Sequence, residues 1–262
     1  MPGLCKLCLK NKDLQSSHLL GACFYRIIRK SQGSDPVVIT AKAARVSSRQ
    51  VIAHELCWDC EQLFRHNGED WMARQVFQGK EFPLLSRLQL AIPEWEKHNH
   101  TAYSGSACGI DTEKLVYFGA SALWRSSLRR WTVGAGETTT VDLGSNQELL
   151  RRFLLGETSF PDAVVIATVC TDYESQACFF PPCAIREGIA PGYSLLVLGV
   201  SLRFFFGPVP ADFQKFCCVQ HKRIIVANHR EQSLHSYGHL SRTAKESPGL
   251  VRSLADFGMK SV

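Results

Sequence analysis

The sequence predicts an α+β fold: a small metal-bound N-terminal unit, then a larger α+β domain with a mostly antiparallel sheet. Three observations carry this. Two C-x2-C pairs, Cys5/Cys8 and Cys57/Cys60, bracket a stretch of the N-terminal region. Apolar residues at helical spacing dominate from Glu113 to Leu154. From Ala163 the texture changes to β-branched and aromatic runs, AVVIATVC, YSLLVLGVSLRFFF and FCCVQHKRIIVAN, which read as strands. Helices first and sheet later is an α+β order.

Taken in order, residues 1–78 form the metal-binding unit. LLGACFYRIIRK (19–30) has the spacing of an amphipathic helix, SQGSDP is a loop, and PVVIT (36–40) is a strand. CEQLFRH (60–66) is helical, with Asn67-Gly68 as its stop and Glu69-Asp70 opening the next helical run. Residues 79–112, with Pro83, Pro93 and the polar run EKHNHTAYSGSACG, are expected to be a linker. The second domain spans 113–262, its tail from about residue 232 being polar and flexible. A helix over Glu113–Trp131 carries the stripe Val116, Ala120, Leu123, Trp124, Leu128 and Trp131. Ser145-Asn-Gln-Glu148 matches a capping box ahead of Leu149, Leu150, Phe153 and Leu154.

Composition is that of a soluble chain, with 45% hydrophobic and 21% charged residues among 262. No run reaches the roughly 18 apolar residues of a membrane span, and MPGLCKLCLK lacks the apolar core of a secretory signal. A cytoplasmic protein without a membrane partner is expected. In that compartment eleven cysteines argue for metal ligands and buried thiols rather than disulfides. The net charge of +6 is concentrated at the two ends. Residues 1–50 hold Lys6, Lys10, Lys12, Arg26, Arg29, Lys30, Lys42, Arg45 and Arg49 against Asp13 and Asp35, which suits a phosphate-rich partner as well as a solvated basic surface.

Two C-x2-C pairs suit tetrahedral Zn²⁺ held by Cys5, Cys8, Cys57 and Cys60 in a structural role. Their long separation requires a small fold between the knuckles, as in a treble clef, where one knuckle sits on a hairpin and the other opens a helix. The residues LCKLC, LQSSHLL and LCWDCE followed by an ED pair resemble the treble-clef HNH endonucleases, with a ββα-metal-like unit. They resemble more closely a set of uncharacterised bacterial proteins with such a head. The resemblance covers residues 5–75. It implies His18 as general base on water and a divalent Mg²⁺ or Mn²⁺ ion near Glu61, a carboxylate suited to hard cations. It also implies a nucleic-acid partner (DNA favoured over RNA) and a role in phage defence beside a protein partner such as an ATPase. This chain departs from the family at Ser17, where Asp or His is usual, and at Glu61, where His is usual; between Arg49 and Leu56 it offers Gln50 and His54 in place of Asn. The centre is therefore a variant one or an inactive one. The alternative is a non-catalytic zinc-scaffolded module that binds nucleic acid or protein.

Beyond the linker, Cys170, Cys178, Cys183, Cys217 and Cys218 have irregular spacing and are expected as buried apolar groups, with a second zinc site or a Cys183–His221 pair unsignalled. The tail histidines His221, His229, His235 and His239 lack ligand spacing and are expected at the surface. Trp124 is expected in the core with Arg125, Arg129 and Arg130 solvated, the alternative being an aromatic and basic face toward nucleic acid. No phosphate-cradling G-x4-G-K-[ST] loop and no G-x-S-x-G elbow is present.

Overall fold

The computed structural model describes residues 1–33, 37–39, 44–46, 50–133, 137–176, 178–187 and 190–228. The C-terminal tail, with His229, His235 and His239, lies outside the described residues.

The chain opens with a hairpin of β1 (Pro2–Leu4) and β2 (Asn11–Asp13), whose connection carries the first C-x2-C. Then come β3 (Ser17–His18), α1 (Ala22–Gln32), a hairpin of β4 (Val37–Ile39) and β5 (Ala44–Val46), and β6 (Ile52–Ala53). β6 returns antiparallel to β3, setting Ser17 opposite Ala53 and His18 opposite Ile52. α2 (Trp58–Phe64) starts on the second C-x2-C and runs through a π-turn at Arg65–Glu69 into α3 (Asp70–Ala73). The predicted stop at Asn67-Gly68 is thus a widened turn inside a continuing helix. Gly68 is placed there by packing: a Cβ on it would come within 2.9 Å of the Phe118 backbone.

After α4 (Pro83–Gln89), β7 (Trp95–Lys97) and β8 (His100–Ser104) pair antiparallel. α5 (Thr112–Ser127) follows, then the β9 (Trp131–Val133) and β10 (Glu137–Thr139) pair, α6 (Asn146–Leu154), β11 (Ala163–Cys170) and α7 (Tyr173–Gln176). β12 (Phe179–Glu187), β13 (Ala190–Val197) and β14 (Val200–Phe206) form a meander, and α8 (Ala211–Gln214), α9 (Cys218–His221) and β15 (Arg223–Ala227) complete the described chain. The seven-stranded sheet has the order β12-β13-β14-β11-β15-β8-β7, antiparallel throughout except for the β11–β15 pair. The segment read as a linker therefore supplies one helix and two strands, the edge strand β7 and its inner neighbour β8. Its prolines and polar residues mark turns and an edge, where strands carry polar side chains without penalty.

β11 is central, and all eight of its residues are buried, as a β-branched strand covered on both faces should be. Its alternation divides the core: Val165, Ala167 and Val169 face the main cluster, and Val164 and Ile166 join Phe205, Cys217 and Ile225 on the other face. α5 covers the main face. It starts where the Asp111 carboxylate accepts a bond from the Lys114 N–H at 3.0 Å, and it ends at Ser127, so Trp131 stands on β9 instead of closing the helix. Gly119 allows the approach, since a Cβ there would meet Leu202 and Phe204 at 2.5 and 2.7 Å. Two local expectations fail. Ser145 precedes α6 without a side-chain cap, its own backbone being in the helical region at φ −63° and ψ −22° where a capping serine is extended, and Glu148 is engaged instead by Arg151 at 2.7 and 2.8 Å. Cys217 and Cys218 lie at the start of a helical turn, not in a strand, and both are buried. No described helix is long and apolar enough to cross a membrane.

Candidate metal centre

The first knuckle is shaped by backbone bonds from Cys5 N to Lys10 O (3.0 Å) and from Leu9 N to Cys5 O (2.9 Å), with Leu9 in the left-handed region at φ 56°. The second is brought to it by Lys6 N to Glu55 O (2.9 Å), Gln15 N to Leu56 O (2.7 Å) and a bridge between Leu14 and Cys57. Cys57 then sits just before α2 and donates its N–H to Cys5 Sγ at 3.4 Å. Backbone N–H···S bonds of this kind stabilise ionised sulfur.

The four sulfurs of Cys5, Cys8, Cys57 and Cys60 lie within 4.8 Å of one another, and Cys8 Sγ is 3.9 Å from Cys57 Sγ. Tetrahedral zinc with Zn–S bonds of about 2.3 Å needs sulfurs about 3.8 Å apart, so the cluster has the dimensions of such a site. The thiols also need a cation chemically. A hydrogen bond from Cys60 holds Cys5 down at about 4, while Cys60 and, through its burial, Cys57 are pushed up. Four adjacent thiols cannot all ionise alone; a divalent ion permits it. These residues can hold a metal ion such as zinc.

His18 lies half-buried at the end of β3, its ring 6.3 Å from that of Tyr25, and neither ring nitrogen is hydrogen-bonded among the described residues. Ser17 beside it is buried, its Oγ accepting the Leu56 N–H at 3.2 Å, so this hydroxyl ties β3 to the segment before the second knuckle.

Glu61 is half-buried and ion-paired. Its Oε2 stands 3.5 Å from Nη2 of Arg125, and its Oε1 is buried without a partner. Arg125, expected in solvent, is buried at 2% exposure, binds Glu69 Oε1 through Nη1 at 2.6 Å and lies 4.6 Å over the Phe64 ring. Burial opposes its charge, but Glu69 and Glu61 more than offset this and raise the guanidinium pKa. Trp124 is in the core, as expected.

Sequence reasoning missed Glu69 and Arg125 for a geometric reason. At 3.6 residues per turn, Glu61 and Glu69 stand roughly 80° apart. The intervening π-turn advances less per residue and swings Glu69 back toward the face of Glu61. Two further arginines reach the knuckles: Arg129 Nη1 lies 3.3 Å from Glu55 Oε1, and Arg151 Nη1 donates to Leu7 O at 2.7 Å. Elsewhere, Cys183 is exposed with its thiol toward Ser194 O, and Cys170 and Cys218 are buried thiols pushed up to about 12 by desolvation.

Comparison with known proteins returned no matching family model, no matching curated protein and no matching solved structure.

Proposed function

We propose that the N-terminal unit is a zinc-scaffolded treble clef of HNH type that acts on nucleic acid as a metal-dependent nuclease, with His18 as general base. The order of elements supports this reading: a knuckle on a hairpin, a strand ending in histidine, its antiparallel partner, and a helix opened by the second knuckle. The observation that carries it is His18 itself, held on a paired strand with both ring nitrogens unengaged among the described residues. A base must be able to take a proton from water, and a histidine bonded into the scaffold could not. Mg²⁺ or Mn²⁺ would supply charge stabilisation at the phosphate. Among the described residues only the four cysteines gather as a metal-ligand group of three or more, so no preformed cage holds a second ion, and no step is derived through one.

A specific observation favours the second reading, a zinc-scaffolded module that binds nucleic acid or protein without cutting. Glu61, the implied ligand of the second ion, is committed to Arg125. Cleavage of plasmid, single-stranded DNA and RNA with Mg²⁺ or Mn²⁺ by wild type and His18→Ala separates the readings, zinc content being measured on both. The nuclease reading expects the variant to keep its zinc and lose about 100-fold or more of the activity, the usual contribution of a general base. Binding without cleavage by either protein would establish the module instead.

A further inference from the structure

The first knuckle is held from an unexpected direction. Arg151, on α6 and 144 positions along the chain from Leu7, donates through Nη1 to the Leu7 carbonyl at 2.7 Å, inside the Cys5-Lys6-Leu7-Cys8 turn. Its other nitrogens are gripped by Glu148 at 2.7 and 2.8 Å, with Glu157 at 3.9 Å, and the side chain is 13% exposed. It is thus braced on one side and spent on the knuckle on the other. Zinc with four thiolates carries net negative charge. Cations near such a centre lower the cost of ionising the sulfurs, and groups that orient the ligands are worth roughly 10–100-fold in metal affinity. Beside the Glu148 hydrogen bond, which contributes most, the Cys8 sulfur is among the groups that raise the Arg151 pKa.

We infer that Arg151 is an outer-sphere partner of the zinc centre: it fixes the first knuckle through Leu7 O and offsets the negative charge of the four-thiolate site. The metal affinity of the N-terminal unit is therefore set in part by a helix of the distant half of the chain. Arg152 differs. It is exposed, and its partner among the described residues is Glu157 at 3.5 Å.

The test is the zinc dissociation constant of the full chain, by competition with a chromophoric chelator, for wild type, Arg151→Gln, Arg151→Lys and Arg152→Gln. Arg151→Gln is expected to bind zinc about 10–100-fold more weakly. Arg151→Lys keeps the charge and one donor and should recover most of that loss, while Arg152→Gln should match wild type. Melting each zinc-depleted protein separates this role from simple packing of α6: an outer-sphere group lowers the stability of the loaded chain more than that of the depleted one. Affinity of Arg151→Gln within twofold of wild type overturns the inference. So does an equal loss of stability in both states. If Arg151→Gln fails to fold, Arg151→Lys decides: a loss of a few-fold or less fits the inference, and a loss as large as 100-fold overturns it. The result is independent of the nuclease reading, because no nucleic acid enters the measurement.

Discussion

A guanidinium withdrawn from water costs several kcal/mol unless its partners repay it, and Arg125 is withdrawn almost entirely. Its partners are two carboxylates and an aromatic face, all on the helix that opens with the second knuckle. The arrangement is under-satisfied, since Arg125 Nε and Nη2 and Glu61 Oε1 lack hydrogen bonds. Removing only the cation leaves Glu69 and most of Glu61 buried with no counter-charge. Arg125→Leu is expected to cost about 3–5 kcal/mol, read as a shift of the urea midpoint without a change in slope. The triple replacement Arg125→Leu, Glu61→Gln, Glu69→Gln should recover part of that loss, because no lone charge then stays buried. A triple variant weaker than Arg125→Leu alone would show that hydrogen bonding, not charge balance, holds the cluster.

At the scale of elements, α2, the π-turn and α3 meet α5 through Gly68. Helix propensity alone favours Gly→Ala by about 1 kcal/mol. Here the added Cβ would meet backbone atoms of Phe118 at 2.9 Å, and backbone in a buried helix does not step aside as a side chain does. Gly68→Ala should therefore destabilise by about 1–3 kcal/mol, the cost of overpacking, and thermal melts reveal the sign. A stabilised variant would mean that the two helices part easily. The same position shows what the sequence could and could not tell. Asn67-Gly68 is a local stop signal, and local signals say nothing of a second helix that needs the missing Cβ. Elements defined by local pattern were legible: β11 from its run rich in β-branched residues, α5 from its apolar stripe, the four-cysteine cluster from its spacing. The strands β7 and β8 were not, because short strands at a sheet edge and next to it show themselves mainly in their pairing. Nor was the partner of Glu61, since a π-turn and a residue 64 positions away leave no periodic trace.

At the scale of the molecule, one hydrophobic cluster runs from the knuckles into the sheet. Cys5, Leu7, Cys57, Cys60 and Phe64 belong to the same core as Leu150, Val165 and Leu202. Aromatic pairs stitch the two halves: Phe24 with Phe118 at 5.2 Å, and Phe64 with Tyr117 at 6.2 Å and Trp124 at 6.0 Å. If the knuckles opened, Phe64 and Phe24 would leave α5, and α5 is what covers the main face of the sheet. Metal binding is then folding free energy for the whole chain, not for an appended unit. Calorimetry with and without a strong chelator should show one transition in each case, lower in temperature when the metal is gone. Two transitions, one of them indifferent to chelator, would mean that the sheet and α5 stand without the cysteine centre, and that the shared core contributes little. A single chelator-sensitive transition would also bear on function. Loss of metal by thiol oxidation would then unfold the sheet domain together with the His18 strand, so any activity at His18 would depend on the redox state of cysteines it does not touch.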